Sequence, residues 1–213
     1  MTDPVVGAVI VQHIDELEAA LRYARRSLTP MLEKATAAII DERRKIYGWE
    51  GEAPTDFDDM LWLAPAEWRM AGDADDGFDL YLSFSTTDCI DGEEPDTWVG
   101  YFCGFAGATI RFEFATDAIG QRDWKAVLRA QTKLAEGLVD QGFLCDPKTG
   151  ELALRIPVDR EALAIGFEDN DLEAALAPVA KTLDRIRAAR ALLDELVTAI
   201  REKSSFRPVS NGG

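Results

Sequence analysis

Apolar residues recur at alternating steps of four and three along the first part of the chain. This spacing predicts a helix with one apolar side, because an α-helix turns once about every 3.6 residues. Thr29 and Pro30 interrupt the pattern with a good N-cap and a proline suited to the first helical position, so we expect a restart or kink there. Gly48 predicts the end of the helix. The apolar stripe consists of Ile10, Ile14, Leu17, Leu21, Ala24, Leu28, Met31, Ala35 and Ala38.

Two later segments alternate between apolar and polar residues, which is the period of a strand with one buried face. The first runs from Phe78 to Phe84 and the second from Thr109 to Phe114. Between them, residues 97–105 (TWVGYFCGF) are apolar at both alternating positions, which predicts a more central strand. Together the three segments predict an antiparallel meander.

The remainder of the chain predicts a helix, a hairpin and a long helix. Apolar spacing indicates a helix over residues 124–138 that ends near Gly142. Pro147 and Gly150 predict the turn of a hairpin. In the last helix, Pro178 predicts the start of the long part. The apolar positions of that helix are Leu172, Leu176, Val179, Leu183, Ile186, Leu193, Val197 and Ile200.

This order of elements predicts an α+β fold. We expect an antiparallel sheet of three to four meander strands plus a hairpin, because the strands have one polar face. N-terminal, central and C-terminal helices should cover the other face. Residues 1–203 should form a single domain, followed by a disordered tail over residues 204–213.

Composition favours a cytoplasmic globular protein. Of 213 residues, 47% are hydrophobic and 29% charged, which is typical of chains that fold around a core. The cysteines Cys89, Cys103 and Cys145 are odd in number and lack paired spacing, as expected in a reducing compartment. The N-terminus lacks the basic segment of a signal peptide, and its apolar run is too short to span a bilayer. We therefore expect no membrane association.

The negative charge is concentrated in one quarter of the chain. The net charge is −16, and residues 50–100 alone carry fifteen acidic residues against one basic residue, Arg69. A surface of this kind can dock a basic protein patch or imitate the phosphates of nucleic acid. Solvated charge is the simpler alternative. Direct binding of nucleic acid is disfavoured, because no basic stripe with interleaved aromatic residues is present.

Two acidic clusters and two tryptophans in this quarter are the candidate binding residues. The first cluster lacks the calcium-loop pattern, since Gly77, Phe78 and Phe84 stand where an oxygen ligand, a glycine and a glutamate are required. It therefore predicts no metal, and a solvated turn remains the alternative. Tryptophans beside acidic residues suit a binding face, although core packing is the simpler explanation for them. The candidates are Asp73, Asp75, Asp76, Glu93, Glu94, Asp96, Trp62 and Trp68.

Catalytic and cofactor-binding motifs are scarce. His13 is the only histidine and lies beside the apolar stripe, so no Ser-His or Cys-His site can form without it. Phosphate-binding and dinucleotide-binding glycine patterns are missing, and we predict no cofactor.

One strand invites comparison with a nuclease family. The order of elements around Arg111-Phe112-Glu113-Phe114-Ala115 resembles the core of the PD-(D/E)XK nucleases, where an acid and an E-x-K triplet hold magnesium. That resemblance implies a metal-assisted hydrolase using Glu113, with Ala115 at the position of the lysine. The order of elements is also similar to that of small acidic secretion chaperones.

The sequence favours a non-enzymatic protein that binds a macromolecule, such as an adaptor, a chaperone-like protein or an inhibitor. Its acidic surface from residues 50–100 would bind a protein partner with a basic patch. The alternatives are the hydrolase based on Glu113 and an inhibitor that mimics DNA. The heptad-like stripes of the first and last helices also allow a homodimer.

Overall fold

The strands form one six-stranded antiparallel sheet with the order β1-β2-β3-β4-β6-β5. The computed structural model describes residues 4–70, 78–87 and 94–205. The predicted α+β class and the packing of the sheet against helices are confirmed. The strands are β1 (Trp49–Glu52), β2 (Trp62–Pro65), β3 (Leu80–Thr86), β4 (Ile110–Thr116), β5 (Leu144–Asp146) and β6 (Glu151–Arg155).

Helices make up the remaining regular structure of the described residues. None of those helices is both long and apolar enough to cross a bilayer. A π-helical segment, Ala24–Leu28, joins α2 to α3. The helices are α1 (Pro4–Gln12), α2 (Ile14–Tyr23), α3 (Thr29–Tyr47), α4 (Trp98–Phe102), α5 (Gln121–Ala130), α6 (Thr132–Asp140), α7 (Arg160–Glu168), α8 (Glu173–Ala188) and α9 (Arg190–Ser205).

The β3–β4 ladder is the longest pairing in the sheet. It runs without interruption from Leu80 opposite Thr116 to Thr86 opposite Ile110. Both predicted strand segments are confirmed, with β3 beginning two residues later than Phe78. The alternating apolar side chains are buried on the helix-covered face, and Phe114 stacks on Trp124 of α5 with 5.5 Å between ring centroids.

The strand predicted for residues 97–105 is wrong, because this segment forms α4 and a 3-10 turn. Thr97 is extended and its hydroxyl accepts a hydrogen bond from the Gly100 amide at 3.3 Å, which caps the helix. Gly104 adopts a left-handed conformation that ends the turn of helix. The segment is apolar throughout because Phe102 enters the core. The meander therefore runs through β2, β3 and β4.

The strand β2 has no counterpart among the predicted strands, and it ends at Pro65, which lacks the amide hydrogen that a central strand requires. Pro65 lies opposite Trp49 of β1 and beyond the two residue pairs that join β2 to β3. Its missing amide hydrogen therefore costs no hydrogen bond between β2 and β3. The hairpin of β5 and β6 is formed as predicted.

The C-terminal half contains more helix breaks than the apolar spacing indicated. The predicted helix over residues 124–138 is divided at Gln131 into α5 and α6, and α7 was not predicted. Pro178 lies inside α8, which begins at Glu173, so the predicted start is wrong. Burial of the α8 face that includes Leu176 and Val179 stabilises helix on both sides of the proline. Helix α9 continues to Ser205, and the rest of the predicted tail lies outside the described residues.

The π-helical segment divides the N-terminal apolar stripe into two parts. A π turn holds one more residue than an α turn, so the next helix is rotated by about 100°. In α3 the fully buried positions accordingly include Leu32 and Thr36, each one residue beyond a position of the predicted stripe, and Ala38 is exposed. Gly48, with φ 66°, ends α3 as predicted.

Two tryptophans of the acidic quarter, Trp62 and Trp68, provide a test of the hydrophobic core. Trp68 is 1% exposed, and its indole donates a hydrogen bond to Asp194 of α9 at 2.7 Å. Trp68→Ala should lower the free energy of unfolding by about 3–5 kcal/mol, because it removes a large buried ring. Trp62→Ala is the matched control at a half-buried site and should cost about half as much or less. Urea unfolding followed by circular dichroism measures both, and equal losses would contradict this assignment.

Candidate functional site

Four of the eight residues predicted to bind a partner lie in the described part of the chain. Asp73, Asp75, Asp76 and Glu93 lie outside the described residues, as does the calcium-loop candidate. Glu94 and Asp96 are exposed ahead of α4.

The two predicted tryptophans differ in their surroundings. Trp68 is buried in the core, so it offers no surface to a partner, which corrects its place among the candidates. Trp62 is half-buried and packs against Phe78 and Tyr81, with ring centroids 5.3 Å and 6.4 Å away.

Two acidic loops meet at one open cavity of about 350 Å³. Asp58 comes from the loop between β1 and β2, and Asp96 comes from the loop before α4. The rings of Trp98 and Tyr101, 5.3 Å apart, line the same cavity as a half-buried aromatic surface. We call this cavity the acidic–aromatic groove. Its lining is completed by Arg25, Thr29, Pro95 and Thr97.

Phe57 places the first acidic loop against the sheet. Its ring is buried between Phe84 of β3 and Trp98 of α4, with 5.0 Å between centroids in each case. The carboxylate of Asp56 accepts a hydrogen bond from the Asp58 amide at 3.0 Å, which fixes the turn around Phe57. With Phe57 directed inward, the neighbouring Asp58 side chain lies at the surface.

Arg25 connects the second acidic loop to the N-terminal helices. Its guanidinium donates to the Asp96 carboxylate at 2.9 Å and to the Asp96 carbonyl at 3.3 Å. Both side chains are more than half exposed, so the pair contributes little to stability. The ion pair instead holds the Asp96 side chain in place beside the groove.

The acidic quarter divides into paired and unpaired carboxylates. Glu50 forms an ion pair with Arg69 at 2.8 Å, and Glu67 forms one with Arg190 at 3.0 Å. Within the described residues, Asp58 and Asp59 form no ion pair. The unpaired negative charge of the described loops is therefore concentrated beside the groove.

Glu33 of α3 lies beneath the first acidic loop. It is 8% exposed, and its carboxylate accepts a hydrogen bond from the Phe57 amide at 3.4 Å. Burial raises the pKa of Glu33, and the charges of Asp56 and Asp58 raise it further, against the opposing effect of the Phe57 amide. A buried carboxyl group whose ionised form is disfavoured therefore lies beneath the loop that carries Asp58.

The other face of the sheet carries a polar cavity of about 450 Å³ around Arg111. The Arg111 guanidinium donates to Glu113 at 2.8 Å, to Glu151 at 2.5 Å and to the Ser85 hydroxyl at 3.2 Å. Glu113 is therefore held in an ion-pair network. In the described part of the chain, no group of three or more histidine, cysteine, aspartate or glutamate residues is placed to hold a metal ion. The geometry adds no support to the nuclease-like interpretation.

The other reactive side chains of the described residues are two cysteines and a histidine. Cys103 and Cys145 are free thiols, and burial raises the pKa of each. His13 is exposed between α1 and α2, where its ring lies 3.2 Å from the Glu16 carboxylate.

The sequence analysis missed the aromatic part of the groove. Trp98 and Tyr101 were assigned to a strand, in which alternate side chains point to opposite faces. On a helix, residues three apart lie on the same side, so both rings reach the groove. The feature of the sequence that indicated a helix was Thr97, a residue type favoured at the N-cap, where its hydroxyl accepts a hydrogen bond from the Gly100 amide. Arg25 and Asp58 carried no comparable signal, because only the tertiary structure brings them to the same cavity.

Glu33→Gln should stabilise the protein at neutral pH, because an uncharged amide avoids the cost of burying a carboxylate. Since the folded protein has the higher Glu33 pKa, the stability contributed by the protonated group is present at low pH and lost as the pH rises through that pKa. The advantage of the variant should therefore shrink as the pH falls from 7 toward about 4. Denaturant unfolding at each pH measures the difference.

The matched control is Glu42→Gln, which makes the same change at an exposed site on α3. An advantage of Glu33→Gln that stays constant with pH would contradict this account of the buried carboxyl. An equal pH dependence in Glu42→Gln would do the same.

Comparison with known proteins provides no family assignment. No family model matches the chain, and neither a curated protein nor a solved structure matches it.

Proposed function

We propose that the chain is a non-enzymatic adaptor that binds a basic segment of another protein in the acidic–aromatic groove. The observation that carries this proposal is the meeting of Asp58 and Asp96 across the rings of Trp98 and Tyr101. Carboxylates at the rim and aromatic rings between them suit a lysine or arginine side chain, which combines a cationic head with an apolar stem.

Each part of the groove contributes differently to such binding. The carboxylates attract a basic segment and accelerate its association, an effect that salt screens. The half-buried rings of Trp98 and Tyr101 supply apolar contact and cation–π attraction, and aromatic residues in pockets commonly provide most of the binding energy. A bound arginine would also compete with Arg25 for the Asp96 carboxylate.

A protein ligand is favoured over inhibition by DNA mimicry. Mimicry needs exposed carboxylates spaced as phosphates are, whereas Glu50 and Glu67 are engaged by arginines from other parts of the chain. The unpaired Asp58 lies instead at a concave site with aromatic walls. We place this interaction in the cytoplasm, where free thiols such as Cys103 and Cys145 stay reduced.

Neutralising the groove tests the proposal. A fluorescein-labelled peptide of alternating arginine and leucine should bind the unaltered protein, and a glutamate–leucine peptide of equal length should not. Asp58→Asn/Asp96→Asn should weaken binding of the basic peptide by about fivefold to tenfold, since each lost ion pair contributes a modest free energy. Fluorescence anisotropy measures the affinity at low and high salt.

The matched control is Glu168→Gln/Glu195→Gln, which removes the same charge from exposed positions outside the groove lining. This variant should bind the peptide as the unaltered protein does. Equal weakening in both double variants would show attraction to net charge alone and would overturn the proposal. Unchanged binding by the groove variant would also overturn it.

A further inference from the structure

Among the described residues, Arg25 is the only basic side chain in the lining of the acidic–aromatic groove. Its Nη2 donates to the Asp96 carboxylate at 2.9 Å, and its Nε donates to the Asp96 carbonyl at 3.3 Å. Arg25 comes from the π-helical segment Ala24–Leu28, 71 residues before Asp96 in the chain. An arginine of the chain itself therefore already bonds with one of the two carboxylates to which we assign a basic ligand.

The charges of the lining show how Arg25 acts on a cationic ligand. The carboxylates of Asp58 and Asp96 attract such a ligand, whereas the guanidinium of Arg25 repels it. Arg25 also occupies oxygen atoms of Asp96 that the ligand would use. Binding through these oxygen atoms breaks the Arg25–Asp96 pair, so the free energy of that pair is subtracted from the affinity.

Arg25 uses the polar part of the groove and leaves the face of Trp98 to a ligand. Within the described residues, the guanidinium groups that lie over aromatic rings contact Tyr47, Trp68 and Phe78, and none lies over Trp98. An incoming arginine can therefore bond with Asp96 and also contact the Trp98 ring. The second contact favours the ligand over Arg25.

We propose that Arg25 holds the place of a ligand arginine, and that the partner segment binds by exchanging its own arginine for Arg25 at Asp96. This inference rests on the proposed adaptor function and specifies the partner's chemistry, arginine rather than lysine. A guanidinium presents its N–H groups in a planar fork, so a ligand arginine can replace both bonds of Arg25 at once. A lysine ammonium lacks this fork and is more strongly hydrated.

The groove does not need Arg25 to keep its shape. The Pro95 ring packs so closely on Gly100 that a Cβ at position 100 would lie 2.6 Å from it. The Thr97 hydroxyl accepts a hydrogen bond from the Gly100 amide at 3.3 Å. These two contacts hold the backbone on both sides of Asp96. The Asp96 backbone therefore stays in place when Arg25 leaves, which favours exchange over a role for Arg25 in positioning the loop.

The Arg25–Asp96 pair is weak enough for a ligand to break. The side chains of Arg25 and Asp96 are 53% and 70% exposed, and ion pairs at such exposure shift an equilibrium by about fivefold at most. Arg25 therefore lowers the affinity of the groove without closing it. A segment without arginine cannot replace both bonds of Arg25, so Arg25 also makes the groove more selective.

Fluorescence anisotropy with labelled peptides tests the exchange. Arg25→Ala should bind the arginine–leucine peptide about threefold more tightly than the unaltered protein, because the internal competitor is gone. The matched control is Arg26→Ala, which removes the same charge from an exposed residue outside the groove lining, and it should change the affinity by less than about twofold. The unaltered protein should bind a lysine–leucine peptide of equal length about fivefold more weakly than the arginine–leucine peptide.

A double-mutant cycle shows whether Arg25 acts through Asp96. In the Asp96→Asn protein, Arg25→Ala should give a smaller gain in affinity, because no ion pair is left to break. An undiminished gain there, or an equal gain in Arg26→Ala, would show general charge repulsion and overturn the exchange.

The remaining outcomes separate this inference from the adaptor function. Unchanged or weaker binding of the arginine–leucine peptide by Arg25→Ala would overturn the exchange while leaving the adaptor function intact. Equal affinity of the unaltered protein for the arginine and lysine peptides would overturn the selectivity for arginine. Absence of binding of either peptide by both the unaltered protein and Arg25→Ala would overturn the adaptor function itself, and this inference with it.

Discussion

The β3–β4 ladder is the constraint on which the rest of the structure depends. Its uninterrupted register places Leu82 and Phe112 on the helix-covered face and leaves Arg111 and Glu113 on the other face. It also fixes where the loops emerge. The loop ahead of β2 adjoins the end of the ladder near Thr86, because the Phe84 amide donates to the Leu61 carbonyl at 3.0 Å. The loop that leads to α4 follows the same end, so Asp58 and Asp96 meet there.

The parts of the fold that local pattern determines could be predicted from the sequence. Strands β3 and β4 alternate with period two because one face is buried, and the β5–β6 hairpin is specified by Pro147 and Gly150. The parts that depend on tertiary packing could not be predicted. Residues 97–105 are apolar as a buried strand would be, yet the cap at Thr97 and the pocket around Phe57 select a helix. The π-helical segment left no signal that periodicity detects.

The candidate site likewise has a part that the sequence predicted and a part that depends on tertiary packing. Charge counting found the acidic quarter, but it placed Trp68 at a binding face, and the structure buries that side chain against Asp194. The groove combines an acid from each of two loops with rings from α4, and only the folded chain brings them together. The ion pair between Arg25 and Asp96 joins the N-terminal helices to this groove.

Backbone-amide NMR during titration with the arginine–leucine peptide tests the central claim most directly, because it locates the contact. Perturbed shifts should cluster at residues 56–59 and 94–101, where the two acidic loops and α4 form the groove. Perturbations centred instead on Ser85, Glu113 and Glu151 would place the ligand on the polar face of the sheet and contradict the account.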